Sequence, residues 1–379
     1  MNINRNHGLD TLRSVAIILV FMFHCFSFSH QLVLGTIGRV GWAGVDLFFV
    51  LSGYLIGNQI FSSFVKQHRF SLKTFYVRRF LRTLPTYLFV LGLYFLIPIF
   101  REQPLITPLW KFLTFTQNFN LSLGAFSHAW SLCLEEQFYL FLPLIALFIA
   151  YKRNIRTAWF LVGFTLLAGI ILRSFLWFAY IQHAGDDKFQ IYMTTIYYLP
   201  FCRLDGLILG ITLAMLRNFH EEIWTRITHK SNWLMVMGLV GCFFTLYPLD
   251  YLFGFMPTVF GYLFRSASFA ALTLAALSSN NLLCKTKIPG AMILATWSYA
   301  IYLTHKQLIH ITQLTLSHWN IGASNILTIS IEILITLVGG WLLYTYIETP
   351  FLKLRNKLEK TKVVEPILQN VPKKDGILV

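Results

Sequence analysis

Charged residues are scarce in this sequence. Only 12% of the 379 residues are Asp, Glu, Lys or Arg, and just 16 of them are acidic. A soluble protein of this length carries roughly twice that share of charge. The chain also lacks a long polar block, and its five cysteines lack the paired spacing of disulfide or metal sites. These shortages argue against a soluble enzyme and against a disulfide-stapled secreted domain.

Apolar residues are abundant instead. They make up 56% of the chain, and 36 phenylalanines bring the aromatic share to 17%. Runs of about 20 apolar residues are long enough to cross a membrane as helices. The sequence therefore predicts an all-α, polytopic membrane protein whose first helix is retained rather than cleaved as a signal peptide. Ten transmembrane helices are expected, at residues 11–30, 42–65, 83–100, 129–150, 157–181, 198–216, 233–248, 258–278, 291–315 and 322–347.

The basic residues are distributed unevenly between the loops. If the N-terminus is cytoplasmic, the cytoplasmic side carries 22 Lys and Arg residues and the outer side carries four. This bias is typical of positive-inside topology, so we expect both termini to be cytoplasmic. The net charge of +15 is accordingly assigned to contacts with membrane lipids, and no nucleic-acid partner is expected. Residues 7–355 form the predicted transmembrane domain, and 356–379 a polar, disordered cytoplasmic tail.

The first predicted helix contains an arginine and a histidine at membrane depth. Arg13 and His24 are eleven residues apart, which corresponds to about three helical turns and about 16 Å of rise. Both side chains therefore point in the same direction at different depths. They could line a polar site. Alternatively, Arg13 could reach the lipid headgroups while His24 makes an ordinary interhelical hydrogen bond.

Two more stretches place acidic residues inside predicted helices. In "GWAGVDLFFVLSGYLIG" (41–57), we expect Asp46 to pair with an arginine or histidine of another helix, in a structural ion pair or in a site. In "SHAWSLCLEEQFYLFLP" (127–143), Glu135 and Glu136 are adjacent, which would suit a proton acceptor or a group that orients a histidine. The His and Trp at the start of that stretch fit the outer membrane interface.

The most basic loop contains "FYVRRFLRTLP" (75–85), whose arginines can line one flank of a helix. Guanidinium groups suit phosphate, although ordinary positive-inside charge on anionic lipid would explain the same pattern. Most of the other ionisable groups in the predicted spans fall in the outer half of the bilayer. This distribution predicts a polar cavity that opens outward and has a positively charged inner mouth.

These stretches, in this order, resemble the acyltransferase-3 family of ten-helix membrane acyltransferases. The elements are R-x10-H in the first helix, "GVDLFFVLSGYL", "RRFLR-x-x-P" and "WSLCLEEQFY", followed by "FCRLDGLILG", "SYAIYLTHK" and "IETPF". The resemblance extends over residues 7–355. One departure is that Lys306 and Gln307 follow His305, where the family commonly has a proline two residues after the histidine.

The resemblance implies an O-acyltransferase that moves an acyl group, usually acetyl, from cytoplasmic acetyl-CoA to a hydroxyl of a glycan. It implies that His24 takes the proton of that hydroxyl, and that Glu135 or Asp46 orients the imidazole. Direct transfer and an acyl-histidine intermediate are both compatible with these residues. No metal is expected. The CoA phosphates are expected to contact Arg78, Arg79 and Arg82, together with Arg13, which we count among the catalytic residues. Substrate contacts are expected from Ser52, Arg203, Asp205 and His305, and oxyanion stabilisation from Ser52, Ser131 or backbone amides.

The acceptor is open at this point. We expect a bacterial inner-membrane enzyme that modifies the O-antigen of lipopolysaccharide, because no fused extracytoplasmic domain is expected after the tenth helix. Peptidoglycan, exopolysaccharide or a small glycosylated metabolite would leave the same motifs. The alternative function is a proton-coupled transporter or exporter of a glycan or small acid, with the buried ionisable groups as a relay. Its usual mark, internal repeats with broken helices, is not evident.

Overall fold

Helices form nearly all of the regular structure. The computed structural model describes residues 6–29, 35–66, 70–119, 121, 124–152, 154–247 and 253–363, and no strand occurs within these ranges. The longer helices there are α1 (His7–Ser29), α2 (Gly44–Val65), α3 (Leu72–Leu96), α4 (Trp130–Lys152), α5 (Ile155–Leu176), α6 (Asp205–Phe219), α7 (Ser231–Leu246), α8 (Gly261–Leu277), α9 (Ala291–Ser317), α10 (Ile326–Leu343) and α11 (Thr349–Val363). Shorter helical segments are Gly35–Val40, Gly41–Ala43, Pro98–Phe100, Leu109–Leu113, Ser127–Ala129, Trp177–Ile181, Gly185–Asp187, Lys188–Tyr192, Met193–Tyr197, Pro200–Cys202, Glu221–His229, Phe255–Val259, Leu282–Lys285 and Tyr344–Glu348.

Each apolar segment predicted from the sequence overlaps one of the helices α1 to α10. The largest difference is at α3, which begins at Leu72 rather than at residue 83 and continues through Pro85. Ser71 caps its first turn by accepting a hydrogen bond from the Thr74 amide, so the basic stretch is helical rather than a loop. α11 covers the beginning of the predicted tail, and residues 364–379 lie outside the described residues.

Several of these helices have the length and composition of a membrane span. In the part of the chain that the structure describes, five helical segments are long and apolar enough to cross: His7–Ser29, Ile37–Val65, Ser127–Lys152, Ile155–Ile181 and Ile326–Leu358. α7 and α8 are apolar but shorter. On α5, large apolar side chains at positions three or four apart are more than half exposed, as expected of a face that meets lipid. They are Phe160, Phe164, Leu167, Ile171 and Phe175.

Close backbone contact between α2 and α6 forms the centre of the bundle. A Cβ atom at Gly53 would collide with the carbonyl oxygen of Leu207, and one at Gly210 would collide with that of Val50. Glycine at both positions lets the two helices approach at backbone distance. This contact fixes the depth of the polar residues that both helices carry.

α1 and α9 run parallel and form the wall that carries the histidines. Near the N-terminal ends of both helices, the Ser14 hydroxyl donates to the Ala291 carbonyl oxygen at 2.6 Å. Further along both helices, His24 meets His305. The two contacts follow the same order along both helices, so the helices are parallel. Ser14, next to Arg13, and His24 therefore meet α9 at different depths.

Candidate active site

A small cavity lies between α1, α2, α3, α4 and α9. Its volume is about 90 Å³, which is room for a few water molecules or one acyl group but not for a nucleotide. Arginine and glutamate side chains of α1, α3 and α4 line it, together with hydroxyl side chains of α2, α3, α4 and α9. The polar lining residues are Arg13, Ser52, Arg79, Arg82, Thr83, Ser131, Glu135, Glu136, Ser298, Tyr299 and Tyr302.

The two adjacent glutamates share one arginine. Arg79 lies 3.6 Å from a Glu135 carboxylate oxygen and 3.4 Å from a Glu136 oxygen, and its guanidinium stacks 3.8 Å from the centre of the Tyr139 ring. Glu135 also accepts hydrogen bonds from Tyr139 Oη at 2.9 Å and from Ser52 Oγ at 3.1 Å. Arg79 is therefore neutralised by carboxylates, and Glu135 has partners on both oxygens.

The other arginines of the cavity differ from Arg79. Arg13 and Arg82 both line it, and neither makes an ion pair or a hydrogen bond within the described ranges. Arg78 is not among the residues that line the cavity. The cavity thus has two guanidinium groups whose donors are available to an anion.

Beyond Tyr302, two histidines are in direct contact. His305 Nδ1 lies 3.1 Å from the Ile301 carbonyl oxygen and 2.9 Å from that of Tyr302, so this nitrogen carries the proton. His305 Nε2 is then an acceptor, and it lies 3.0 Å from His24 Nδ1. His24 Nδ1 must therefore be protonated, with the Val20 carbonyl oxygen as a second acceptor at 3.0 Å. The remaining nitrogen of His24, Nε2, has a free lone pair and can accept a proton.

A third histidine completes the cluster. His128 was expected at the membrane interface together with Trp130, but both are only 4% exposed. The segment that carries His128 turns sharply after Phe126, whose φ is 60°, and this turn directs the side chain inward. The His128 ring centre lies 6.2 Å from that of His24 and 5.4 Å from that of His305. The position of this histidine two residues before the tryptophan of "WSLCLEE" is the sequence signal that would have identified it.

A buried ion pair holds the segment between α3 and α4 against the histidine cluster. Lys306 Nζ lies 2.9 Å from Glu102 Oε1 and 3.1 Å from Ser127 Oγ. Glu102 accepts two more hydrogen bonds, from the Phe126 amide at 3.1 Å and from Tyr94 Oη at 3.0 Å. Lys306, at the position where the sequence departs from the family pattern, therefore fixes the turn that precedes His128.

The acidic residues of α2 and α6 pair with buried arginines outside this cluster. Asp46 accepts hydrogen bonds from Arg203 Nη2 and from Arg265 Nε, each at 2.6 Å. These are partners of the kind that the sequence predicts, arginines outside its own helix. Asp205 receives two hydrogen bonds from Arg173, at 2.7 and 3.1 Å. The expected contact between a carboxylate and His24 is not formed, because Asp46 and Glu135 are paired with arginines. The side chain that contacts His24 Nδ1 is instead that of His305.

The histidine cluster does not resemble a metal centre. Within the described residues, no group of three or more His, Cys, Asp or Glu side chains is arranged to hold a metal ion. The cluster holds a histidine with a free ring nitrogen and a second histidine that orients it. Tyr302 connects this cluster to the cavity, because it lines the cavity and contacts both His128 and His305. This is a polar site inside a bundle of apolar helices.

Comparison with known families identifies the class. The family model described as an acyltransferase domain, Acyl_transf_3, matches residues 6–345. The chain therefore belongs to the acyltransferase-3 family.

The chain is similar to O-acetyltransferase OatA of Staphylococcus aureus strains NCTC 8325, COL and MRSA252. Each of these is 28% identical over 375 residues, with 91% of this chain and 57% of the relative covered. The chain spans a little over half the length of these relatives. No solved structure matched it.

Proposed function

We propose that this protein is an integral membrane O-acetyltransferase. It takes the acetyl group of cytoplasmic acetyl-CoA and transfers it to a hydroxyl of a surface glycan, such as the O-antigen of lipopolysaccharide, at the inner membrane of a bacterium. The observation that carries the proposal is the free Nε2 of His24, which His305 orients beside a cavity lined by unpaired arginines.

In the proposed topology, α1 to α10 all cross the membrane and both termini are cytoplasmic. The 22 Lys and Arg residues assigned to the cytoplasmic side support this orientation. Arg13 then lies near the inner surface, and His24 lies about 16 Å further out along α1. The donor enters from the inner side and the glycan approaches from the outer side.

The arginine end of the cavity binds the CoA phosphates in this proposal. Arg13 and Arg82 are the main contacts because their guanidinium groups make no ion pair within the described residues. Arg79 contributes less because Glu135 and Glu136 already neutralise it, and Arg78 reaches the phosphates from outside the cavity lining. The nucleotide remains at the inner mouth, and the pantetheine arm extends along the cavity past Ser52.

The transfer step uses His24 as the general base. Its Nε2 takes the proton of the attacking hydroxyl while the hydroxyl oxygen forms a bond to the acyl carbon. The C–S bond then breaks, and the CoA thiolate leaves with the proton that the imidazolium returns. His305 accepts a hydrogen bond from His24 Nδ1 throughout, which holds the ring and stabilises its charged form.

The remaining predicted site residues have supporting roles in this mechanism. Asp46, Arg203 and Asp205 belong to buried ion pairs. These pairs join α5 to α6, and join α2 to α8 and to the residue just before α6, so they position the site without touching the acyl group. Glu135 holds Arg79 and Ser52, so it shapes the middle of the cavity.

The test uses purified full-length protein in lipid nanodiscs, with acetyl-CoA as the donor probe and O-antigen polysaccharide as the acceptor probe. Thiol release from CoA and the acetyl mass gained by the polysaccharide are measured together. His24→Ala should abolish both signals. The matched control is His318→Ala, because His318 is exposed at the end of α9, and it should retain both.

Each alternative has its own outcome in this experiment. Acetyl-CoA binding and thiol release without a mass gain on the polysaccharide would support the transferase proposal but refute O-antigen as the acceptor. If wild-type protein neither binds nor consumes acetyl-CoA, the transferase proposal fails and a proton-coupled transporter becomes the better reading. Full activity of His24→Ala would remove this histidine from the mechanism.

A further inference from the structure

The proposed acetyl transfer requires a hydrogen-bond donor that stabilises the thioester oxygen. When the hydroxyl attacks, the carbonyl oxygen becomes negatively charged, and acyl-transfer sites provide hydrogen-bond donors for it. Three hydroxyl groups lie in the lining of the cavity close to the expected path, those of Ser52, Ser131 and Tyr302.

The protons of these hydroxyl groups are already used. Ser52 donates to Glu135 at 3.1 Å. Tyr302 Oη donates to the His128 carbonyl oxygen at 2.7 Å, so the 2.6 Å contact between Tyr302 and Ser131 must use the serine proton. Of the side chains expected to stabilise the oxyanion, neither serine therefore has a free donor in this state.

The His128 ring is the nearby side chain with polar atoms to spare. Within the described residues, neither of its nitrogens has a hydrogen-bond partner, although the ring is buried. The Leu303 carbonyl oxygen lies near the ring but outside hydrogen-bond geometry. An unpartnered polar group at this depth is costly unless a ligand satisfies it.

We propose that His128 is a catalytic residue whose ring N–H donates a hydrogen bond to the carbonyl oxygen of the bound thioester. This assignment rests on the proposed acetyl transfer. With ring centres 6.2 Å apart, His24 and His128 are close enough to contact the same acyl group from two sides. A neutral imidazole can act as such a donor, as it does in triosephosphate isomerase.

The proposed step keeps the two histidines in separate roles. The hydroxyl oxygen bonds to the acyl carbon, its proton moves to His24 Nε2, and the carbonyl electron pair moves onto the oxygen that faces His128. The hydrogen bond from His128 strengthens as that charge develops. When the carbonyl reforms, the C–S bond breaks and the thiolate takes the proton from His24. The thioester reaches this point past Tyr302, whose ring centre lies 5.7 Å from that of His128.

The first test is spectroscopic and needs no acceptor. Acetyl-CoA labelled with ¹³C at the carbonyl is bound to full-length His24→Ala, which cannot turn over, and the carbonyl stretch is recorded by infrared difference spectroscopy. A hydrogen bond from His128 should move the band to lower frequency than in free acetyl-CoA. Adding His128→Phe should abolish the shift. Either His128→Asn or His128→Gln, which keep an N–H donor, should preserve part of it.

The second test is kinetic and uses the same His128 variants with wild-type His24. His128→Phe should lower kcat for thiol release by roughly 10²–10³-fold, with KM for acetyl-CoA within about threefold, and Asn or Gln should recover at least about tenfold over Phe. His318→Phe serves as the control. An infrared band that His128→Phe leaves unchanged would overturn the assignment. So would His128→Asn and His128→Gln proteins that are folded by thermal unfolding but as slow as His128→Phe.

Failure of the underlying function gives a different result. Wild-type and His24→Ala proteins that do not bind labelled acetyl-CoA would refute the transferase proposal, and the role of His128 would fall with it. Binding with an unshifted band would refute the role of His128 alone.

Discussion

Replacing Asp46 by asparagine should destabilise the protein more than any change in the cavity lining. Asp46 is 3% exposed and lies 2.6 Å from both Arg203 and Arg265. Asparagine keeps the shape of the side chain but removes its charge. Asp46→Asn therefore leaves two buried guanidinium groups without their shared counter-ion.

The size of the effect follows from two opposing contributions. Removing one partner of a buried ion pair costs about 3–5 kcal/mol, and Asp46 serves two arginines. Aromatic rings offset part of this loss, since Tyr262 lies 4.0 Å from the Arg203 guanidinium and Trp42 lies 4.2 Å from that of Arg265. Such contacts are worth about 2 kcal/mol when desolvated. We expect a net loss in the free energy of unfolding of about 3–5 kcal/mol.

The assay uses the buried cysteines as reporters. Cys25, Cys133 and Cys202 are free and buried, so a thiol-reactive dye labels them only as the protein unfolds. Asp46→Asn in detergent should react at a lower temperature than wild type, and Glu222→Gln, at an exposed glutamate, should not. An Asp46→Asn protein that unfolds like wild type but has lost acetyl transfer would refute the reasoning, because the carboxylate would then act in the chemistry.

Three more predictions concern the donor site, the histidine pair and the helix contact. Arg82→Ala should weaken acetyl-CoA binding by roughly ten- to a hundredfold in calorimetry, because a charged hydrogen bond is worth about 1.5–3 kcal/mol. Lys73→Ala, at an exposed lysine, is its control. Equal affinities for the two variants would mean that Arg82 contributes only to the positive-inside charge. His305→Leu should lower kcat by roughly 10²-fold with little change in KM; wild-type turnover would show that His24 needs no orienting partner. Gly53→Ala should cost about 1–3 kcal/mol of stability by overpacking, whereas Gly92→Ala, which meets open space, should not. Equal unfolding temperatures for the two would contradict the close contact.

The helical architecture could be read from the sequence because it depends on local composition. A run of apolar residues has to satisfy its backbone within a helix if it enters a membrane, whatever its neighbours are. The sequence prediction for the start of α3 is wrong for the same reason. Its first turns are basic and amphipathic rather than apolar, so hydropathy marks only the part after Thr83, while the cap at Ser71 starts the helix earlier.

The candidate site was predictable only where its geometry lies within one helix. The eleven-residue spacing places Arg13 and His24 on one face of α1, because both belong to the same regular helix. The partner of His24 depends instead on how α1 packs against α9, 281 residues further along the chain. The inward position of His128 depends on a turn with a positive φ at Phe126. A positive φ is not predictable from the sequence at a phenylalanine, because non-glycine residues rarely adopt it.

The pairing of the arginines separates the scaffold from the site more clearly than their depth does. Arg173, Arg203 and Arg265 each have a carboxylate oxygen within 2.7 Å, so their charges are matched before any ligand binds. Arg13 and Arg82 line the cavity without an ion pair in the described residues. A low-dielectric site with uncompensated cations favours an anion strongly. In the proposed function, the anionic end of the donor supplies the missing charge, and binding there would direct the thioester past Tyr302, which lines the cavity and contacts His128 and His305.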